Sequence, residues 1–255
     1  RTAELKAKFR ARAEEDPRLD TAIKRGRLFE AIVADQIEQS NWFGESATHR
    51  TASEFDDYVN HVDGIVEFED EGTQTHLALA VDVTKSTQHI EEKLNDIRHS
   101  ILSGKLTEVR YFTSHTQEGS LKNVPRVIVG ASQHTIEHVA QLIFTFEATR
   151  KSAGAQNISE ETKRTLHQRF EEARNELEKH PLQFALLLEI QTQLRAFHAY
   201  AEKVKKPEVA TQYARVLGIV DAIIEHKKEA MPEHNILTED PVVATLLERT
   251  AHFGQ

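Results

Sequence analysis

The sequence predicts a mixed α/β fold, a central sheet flanked by helices, followed by an all-α helical bundle. Three observations carry that prediction. Helical and alternating segments intermix up to about residue 153, and beyond it every segment has helical periodicity. Pro181, Pro207, Pro232 and Pro241 punctuate that second part at helix-length intervals, because proline suits a first turn and breaks an interior. With 39% apolar residues in a chain of 255, there is material for a substantial core.

The elements follow in order. Leu19 to Ser40 is an amphipathic helix, with Ile23, Leu28, Phe29, Ile32, Val33 and Ile37 on one broad face. His49 and Arg50 fall in a loop. Phe55 to Phe68 and His76 to Val83 read as strands joined by the acidic turn EDEGTQT. Thr87 to Ser103 is helical, and Gly104 supplies its stop. VRYF (Val109 to Phe112) and RVIVG (Arg126 to Gly130) read as short buried strands, and Ser132 to Arg150 as a helix. The small-residue run SAGAQN then marks a hinge, and Ser159 with two following glutamates suits a helix start. Helices near 160–179, 182–204, 208–229 and 239–252 with short connections imply antiparallel packing. The organisation expected is an α/β domain over 1–153 with a basic N-terminal arm, and a helical bundle over 154–255.

Composition narrows function. The chain has no cysteine, which excludes disulfides, thiolate metal sites and cysteine nucleophiles. No apolar run approaches the roughly 18 residues of a membrane span, so no membrane association and a cytoplasmic location are expected. The net charge of −9 argues against coating nucleic acid by bulk attraction. Residues 1 to 27, however, hold nine Lys/Arg against five acids, either a solvated helix face or an arm for a phosphate backbone.

The stretch HLALAVDVTKS (His76 to Ser86) begins as a core strand and ends in charge. If the hairpin before it centres near Gly72 and Thr73, Asp63 sits opposite Asp82 on one face, with Ala78 and Ala80 beneath. Two such carboxylates repel, and a proton, a cationic side chain or a metal must offset them. Glu30, beside Leu28 and Phe29 in the first helix, lies at the margin of a buried face and can point toward the sheet; the plain alternative is a surface glutamate.

These residues, Gly26-x-x-x-Glu30 on a helix, Asp63 after a short apolar approach, a hairpin, and Asp82-Val83-Thr84-Lys85 ending an apolar strand, resemble the core of the PD-(D/E)XK nuclease superfamily over roughly residues 20–130. The resemblance implies a restriction endonuclease-like fold and a Mg²⁺-dependent DNA endonuclease, with Mn²⁺ able to substitute. It implies Glu30, Asp63 and Asp82 as metal ligands, and Lys85, or Thr84, assisting the nucleophile. Two departures stand out. Val62 occupies the usual proline position, and Lys85 is three residues after Asp82 rather than two, so a β-bulge at Val83 or Thr84 is needed to bring it to the same side. Glu67 and Glu54 are outside candidates for a second metal, and His61 for a neighbouring role. The alternative function is an inactive nuclease-fold module that binds nucleic acid or a protein partner, with the C-terminal helices available for a partner or for homodimer formation.

His134 to His138 (HTIEH) matches the H-x-x-E-H pattern of inverted zinc peptidases, but with fourteen histidines in the chain the match arises easily by chance. The run Glu171 to His180 reads as a solvated helix face.

Overall fold

Apolar spacing and capping chemistry explain most of the elements. In the computed structural model, which describes residue 7 and residues 17–70, 73–82, 87–115, 117–153, 159–230 and 239–255, the stripe Phe29, Ile32, Val33 and Ile37 is buried along α1 (Pro17–Gln39). Leu28, expected on that stripe, is 41% exposed. Most of the basic arm, and the run centred on SAGAQN, lie outside the described residues, as do Thr84 and Lys85.

A strand not expected from the sequence follows, β1 (Ala47–Thr51), which contains His49 and Arg50. The single strand expected over Phe55 to Phe68 is instead a short helix, α2 (Glu54–Asn60), and then β2 (Gly64–Asp70). Chemistry at the helix start explains the difference. The Ser53 side chain accepts the Asp56 N–H, and Glu54, Asp56 and Asp57 crowd the first turn, where the helix dipole favours acids. His61 ends the helix in a left-handed conformation, φ 55°.

β3 (Thr73–Asp82) pairs antiparallel with β2, from Asp70↔Thr73 to Gly64↔Leu79. Extended by one residue, that register sets Asp63 level with Ala80, two residues from the Asp82 partnership expected. The pairing closes at Asp70↔Thr73, nearer the chain's start than a turn centred on Gly72 and Thr73 requires. A shift of two keeps every residue on its original face, whereas a shift of one would have inverted them.

α3 (Thr87–Ser103) ends at Gly104, whose φ of 73° and N–H bond to the Ile101 carbonyl close the helix. Next come β4 (Thr107–Thr113), β5 (Glu118–Val124) and β6 (Arg126–Gly130). β4 and β5 form a separate antiparallel hairpin, so β4 is half-exposed rather than buried. β6 is buried throughout and pairs parallel to β3, with Asp82↔Gly130 at the end. The main sheet is therefore mixed, in the order β1-β2-β3-β6.

The remaining elements are helical: α4 (Gln133–Ala153), α5 (Glu160–Glu178), α6 (Leu182–Lys203), α7 (Pro207–Lys227) and α8 (Pro241–Ala251), with a 3-10 turn at Lys228–Ala230. Ser159 caps α5 by accepting the Thr162 N–H. These helices share one hydrophobic core with the sheet. Phe29, Val66, Phe68 and Val127 belong to the same buried cluster as Leu187, Leu194, Phe197 and Leu246. The indole N–H of Trp42 donates to the Leu177 carbonyl across 2.9 Å, fastening the segment after α1 to the end of α5. Asp240, 4% exposed, caps α8 through Val242 N–H and also accepts the N–H of Ser132 and the hydroxyl of Thr135 at the start of α4.

α6 also solves the problem of an open sheet edge. The amide of Gln193 accepts the Ile128 N–H at 2.8 Å and donates to the Ile128 carbonyl at 2.6 Å, as a neighbouring strand would. One turn earlier, Glu189 accepts the Gly130 N–H at 3.0 Å. Two side chains of a fully covered helix face thus satisfy an edge that would otherwise invite another strand. Gln193→Leu keeps the volume but leaves both Ile128 groups unsatisfied, and we expect a loss of about 2–4 kcal/mol in chemical denaturation.

Two buried clusters lie against the sheet. Val66, Phe68 and Leu77 join the large core, while Ile65, next along β2 and on the opposite face, joins Val62, Val109, Phe112, Leu121 and Val124 beneath the β4–β5 hairpin.

Candidate functional site

An antiparallel β2 begins where β3 ends, and β3 and β6 end together. Asp63, Asp82 and Gly130 therefore mark one edge of the sheet, the carboxyl edge of its parallel pair. In open α/β sheets this edge is where ligands are usually received. The backbone of Asp82 closes the β3–β6 pairing there, and its side chain lies outside the described ones.

Three carboxyl groups act on one another through their charges at this edge. Glu30 reaches it from α1, Asp57 from α2 and Asp63 from the bend before β2. Asp57 and Asp63 lie close enough for Asp63 to favour the protonated form of Asp57. Burial, then the repulsion and hydrogen bond of Asp63, push the Asp57 carboxyl up to about 6. Burial, then repulsion from Asp63 and Asp57, push Glu30 up to about 7, with Arg27 and Lys93 pulling the other way. Gly26 belongs here: a Cβ at that position would stand 3.9 Å from Glu30 Oε1, so the carboxyl folds back along its own helix.

Cations surround the acids. Arg27 comes from α1 and Lys93 from α3. Arg126, 8% exposed at the start of β6, donates to the Asn60 carbonyl at 2.9 Å and so ties the end of α2 to the sheet. Burial lowers its pKa, while Asp96, Tyr213 and Asp63 hold its charge in place. His61 stands in the helix-ending bend rather than on a strand; burial and then Arg126 lower its pKa. Asp57, Lys93 and Arg126 were not singled out from the sequence. The signal for Asp57 was Ser53 ahead of an acidic turn, which marks a helix start and brings Asp57 near Asp63.

The other candidates separate. Glu67, 5% exposed, sits opposite His76 and bonds to it at 3.1 Å, with Arg50 at 3.8 Å, four residues along β2 from Asp63. It serves a buried ion-pair group and lies apart from Glu30. Glu54 acts on Asp57 through its charge and stays near the cluster. His49 lies over Gly64, where a Cβ would run into its ring, and burial lowers its pKa to about 4.

His134 and His138 are both exposed on α4, whose other face buries Ile136 and Val139. With His180 they line a cavity of about 940 Å³, which includes none of Glu30, Asp57 and Asp63. His180 accepts the Leu182 N–H on Nδ1 at 3.1 Å, so its Nε2–H faces His138 Nδ1 at 3.4 Å. Burial, then His138, lower the His180 pKa to about 4.

Among the described residues, no three or more His, Asp and Glu side chains form a ready metal-ligand group. Carboxylate oxygens are the donors that a hard divalent cation prefers, and the mutual repulsion of these acids is what such a cation would offset.

The raised pKa of Glu30 has a consequence for stability. Relative to its ordinary 4.5, the folded state holds this proton more tightly up to about pH 7. Its contribution is complete below pH 4.5 and is lost as pH rises through 7. We expect Glu30→Gln to match the parent near pH 4.5 and to exceed its stability by about 1–2 kcal/mol at pH 8, after allowance for partial exposure, in denaturation curves at the two pH values.

Comparison with protein-family models, curated proteins and solved structures finds no match. The functional reading therefore rests on the residues themselves.

Proposed function

We propose that the protein is a metal-dependent nuclease that hydrolyses phosphodiester bonds, with DNA as its substrate, and that the carboxyl cluster of Glu30, Asp57 and Asp63 is its active site. The observation that carries this reading is the convergence of acids from three elements at the carboxyl edge of β3 and β6. Three antiparallel strands after a first helix, and a parallel strand after a further helix, support a restriction endonuclease-like core, with α2 inserted between β1 and β2 and the β4–β5 hairpin inserted before β6.

In this reading Glu30, Asp57 and Asp63 would hold Mg²⁺ or Mn²⁺, and Asp82, whose backbone ends β3 at the same edge, would be a further ligand. The ion would supply polarisation of the phosphate and a lowered pKa for a bound water. A water oxygen attacks phosphorus and a P–O ester bond breaks, leaving a phosphomonoester and a hydroxyl. The chain's part is to position acids and cations. Arg126 fixes the end of α2 through Asn60, so that Asp57 is held beside Asp63. Lys93 and Arg27 offset negative charge at Glu30. Lys85 or Thr84 remains the proposed aid to the nucleophile.

A second reading, an inactive module of the same fold that binds nucleic acid or a protein partner, is favoured by the lack of a ready metal-ligand group among the described residues. Cleavage with Mg²⁺ and Mn²⁺ on single-stranded, duplex and branched DNA and on RNA, with EDTA as control, separates the two. We expect cleavage of DNA that EDTA abolishes. Folded protein that cleaves none of these substrates would favour the inactive module.

A further inference from the structure

β4 contains an irregularity that has a purpose. Its pairing runs Val109↔Leu121 and then Phe112↔Gly119, so two residues of β4, Arg110 and Tyr111, stand against one of β5. Such a bulge releases backbone groups from the ladder and re-aims side chains. The two N–H groups it sets aside are both accepted by one carboxylate. Asp56 takes Arg110 N–H at 2.8 Å and Tyr111 N–H at 3.1 Å, while also accepting the Ser53 hydroxyl and the Asn60 amide. Asp56 itself is fully buried.

The bulge leaves Arg110 and Tyr111, adjacent in sequence, both exposed, which regular strand alternation does not allow. Tyr111 is 61% exposed, an unusual place for a large ring. The Phe55 ring supports it edge-on at 5.6 Å between centroids, and the Arg110 guanidinium lies over Phe55 at 5.2 Å. Phe55, Asp56 and Asp57 are consecutive residues of α2. One short helix therefore carries the support of the exposed ring, the clamp that holds the bulge, and a member of the carboxyl cluster.

We propose that Tyr111, backed by Phe55 and Arg110, is a stacking platform for an unpaired nucleobase of a strand that crosses α2 from the phosphate held at the carboxyl cluster. The substrate class is then nucleic acid with single-stranded character, a free strand, a flap or a branch, rather than uninterrupted duplex. This rests on the nuclease reading for the position of the phosphate. An aromatic face beside a guanidinium matches any base without regard to sequence, and a base within a closed duplex cannot reach it.

The test uses the full chain and a single-stranded oligonucleotide carrying 2-aminopurine, with Ca²⁺ replacing Mg²⁺ for binding and Mg²⁺ restored for cleavage. Binding should quench 2-aminopurine fluorescence, Tyr111→Ala should weaken binding about tenfold and remove the quench, and Tyr111→Phe should restore both. Tyr111→Ala should also erase any preference in cleavage for single-stranded or branched over duplex DNA, with the melting temperature unchanged. Metal-dependent cleavage by the parent with no effect of Tyr111→Ala on binding, quench or preference would overturn the platform and leave the nuclease reading standing. A Tyr111-dependent quench without cleavage of any substrate would uphold the platform and remove the nuclease reading. Neither quench nor cleavage would remove both, and the exposed ring would then be a protein contact.

Discussion

Asp63→Asn is expected to abolish the proposed metal-dependent cleavage, by at least about a hundredfold, in a protein that still folds. The size follows from position. Asp63 is the member of the cluster that acts on both others, raising Glu30 by its charge and Asp57 by charge and hydrogen bond. A neutral amide keeps the volume and removes the negative oxygen that a hard cation requires, and losing one electrostatic contact to a reacting phosphate costs on the order of 10²–10³-fold in rate. Stability should move in the opposite direction. With one repelling carboxylate gone, the substitution relieves Glu30 and Asp57, so the melting temperature at neutral pH should rise or stay level. The measurement is a cleavage rate at saturating Mg²⁺ beside a thermal melt. Equal cleavage rates for variant and parent would place the chemistry elsewhere.

Asp56→Ala produces the largest loss of stability, about 3–5 kcal/mol in chemical denaturation. Burial alone would push this carboxyl up, but hydrogen bonds from Arg110, Ser53, Tyr111 and Asn60 outweigh it and lower its pKa. A carboxyl lowered in this way adds stability that is present above its ordinary titration range and is lost as pH falls. Alanine leaves two strand N–H groups and two side chains without their acceptor in a site closed to water, and each loss costs about 1–3 kcal/mol before relaxation. The difference between parent and variant should therefore narrow in acid, below about pH 4. A loss under 1 kcal/mol at pH 7 would mean that water takes the place of the carboxylate, and the bulge would then be held by β5 alone.

Sequence legibility followed local chemistry. The helices from Thr87 to Ser103 and beyond Ser159 were readable because apolar spacing, Gly104, Ser159 and the prolines mark both their bodies and their ends. β1 was not, since ATHRT has no apolar alternation and gains its place only by pairing with β2. β5 was hidden for a similar reason, with only Leu121 and Val124 buried in seven residues. Phe55 to Asn60 was misread because its apolar residues suit a strand, while the capping by Ser53 that decides for helix involves a side chain bonding to the backbone. The hairpin register came out two residues away because EDEGTQT does not specify where its turn closes, although the period of two preserved the faces.

At the candidate site, helix periodicity left Glu30 open between the surface and the sheet, and its charge coupling to Asp63 depends on how α1 packs. The addition of Asp57 was not legible, because it depends on α2 existing at all. The platform at Tyr111 was further from view, since a bulge is a property of pairing between two strands.

The measurement that tests the carboxyl cluster as a metal site most directly is calorimetric titration of Mn²⁺ at pH 6 in two buffers of different ionisation enthalpy, on the parent and on Asp63→Asn. At this pH Glu30, pushed up to about 7, is mostly protonated, and Asp57, to about 6, is about half protonated. A cation that binds among them must displace those protons, so we expect binding by the parent with release of about one proton per ion, and loss of both in Asp63→Asn. Mn²⁺ binding without proton release, or binding unchanged in Asp63→Asn, would contradict the assignment.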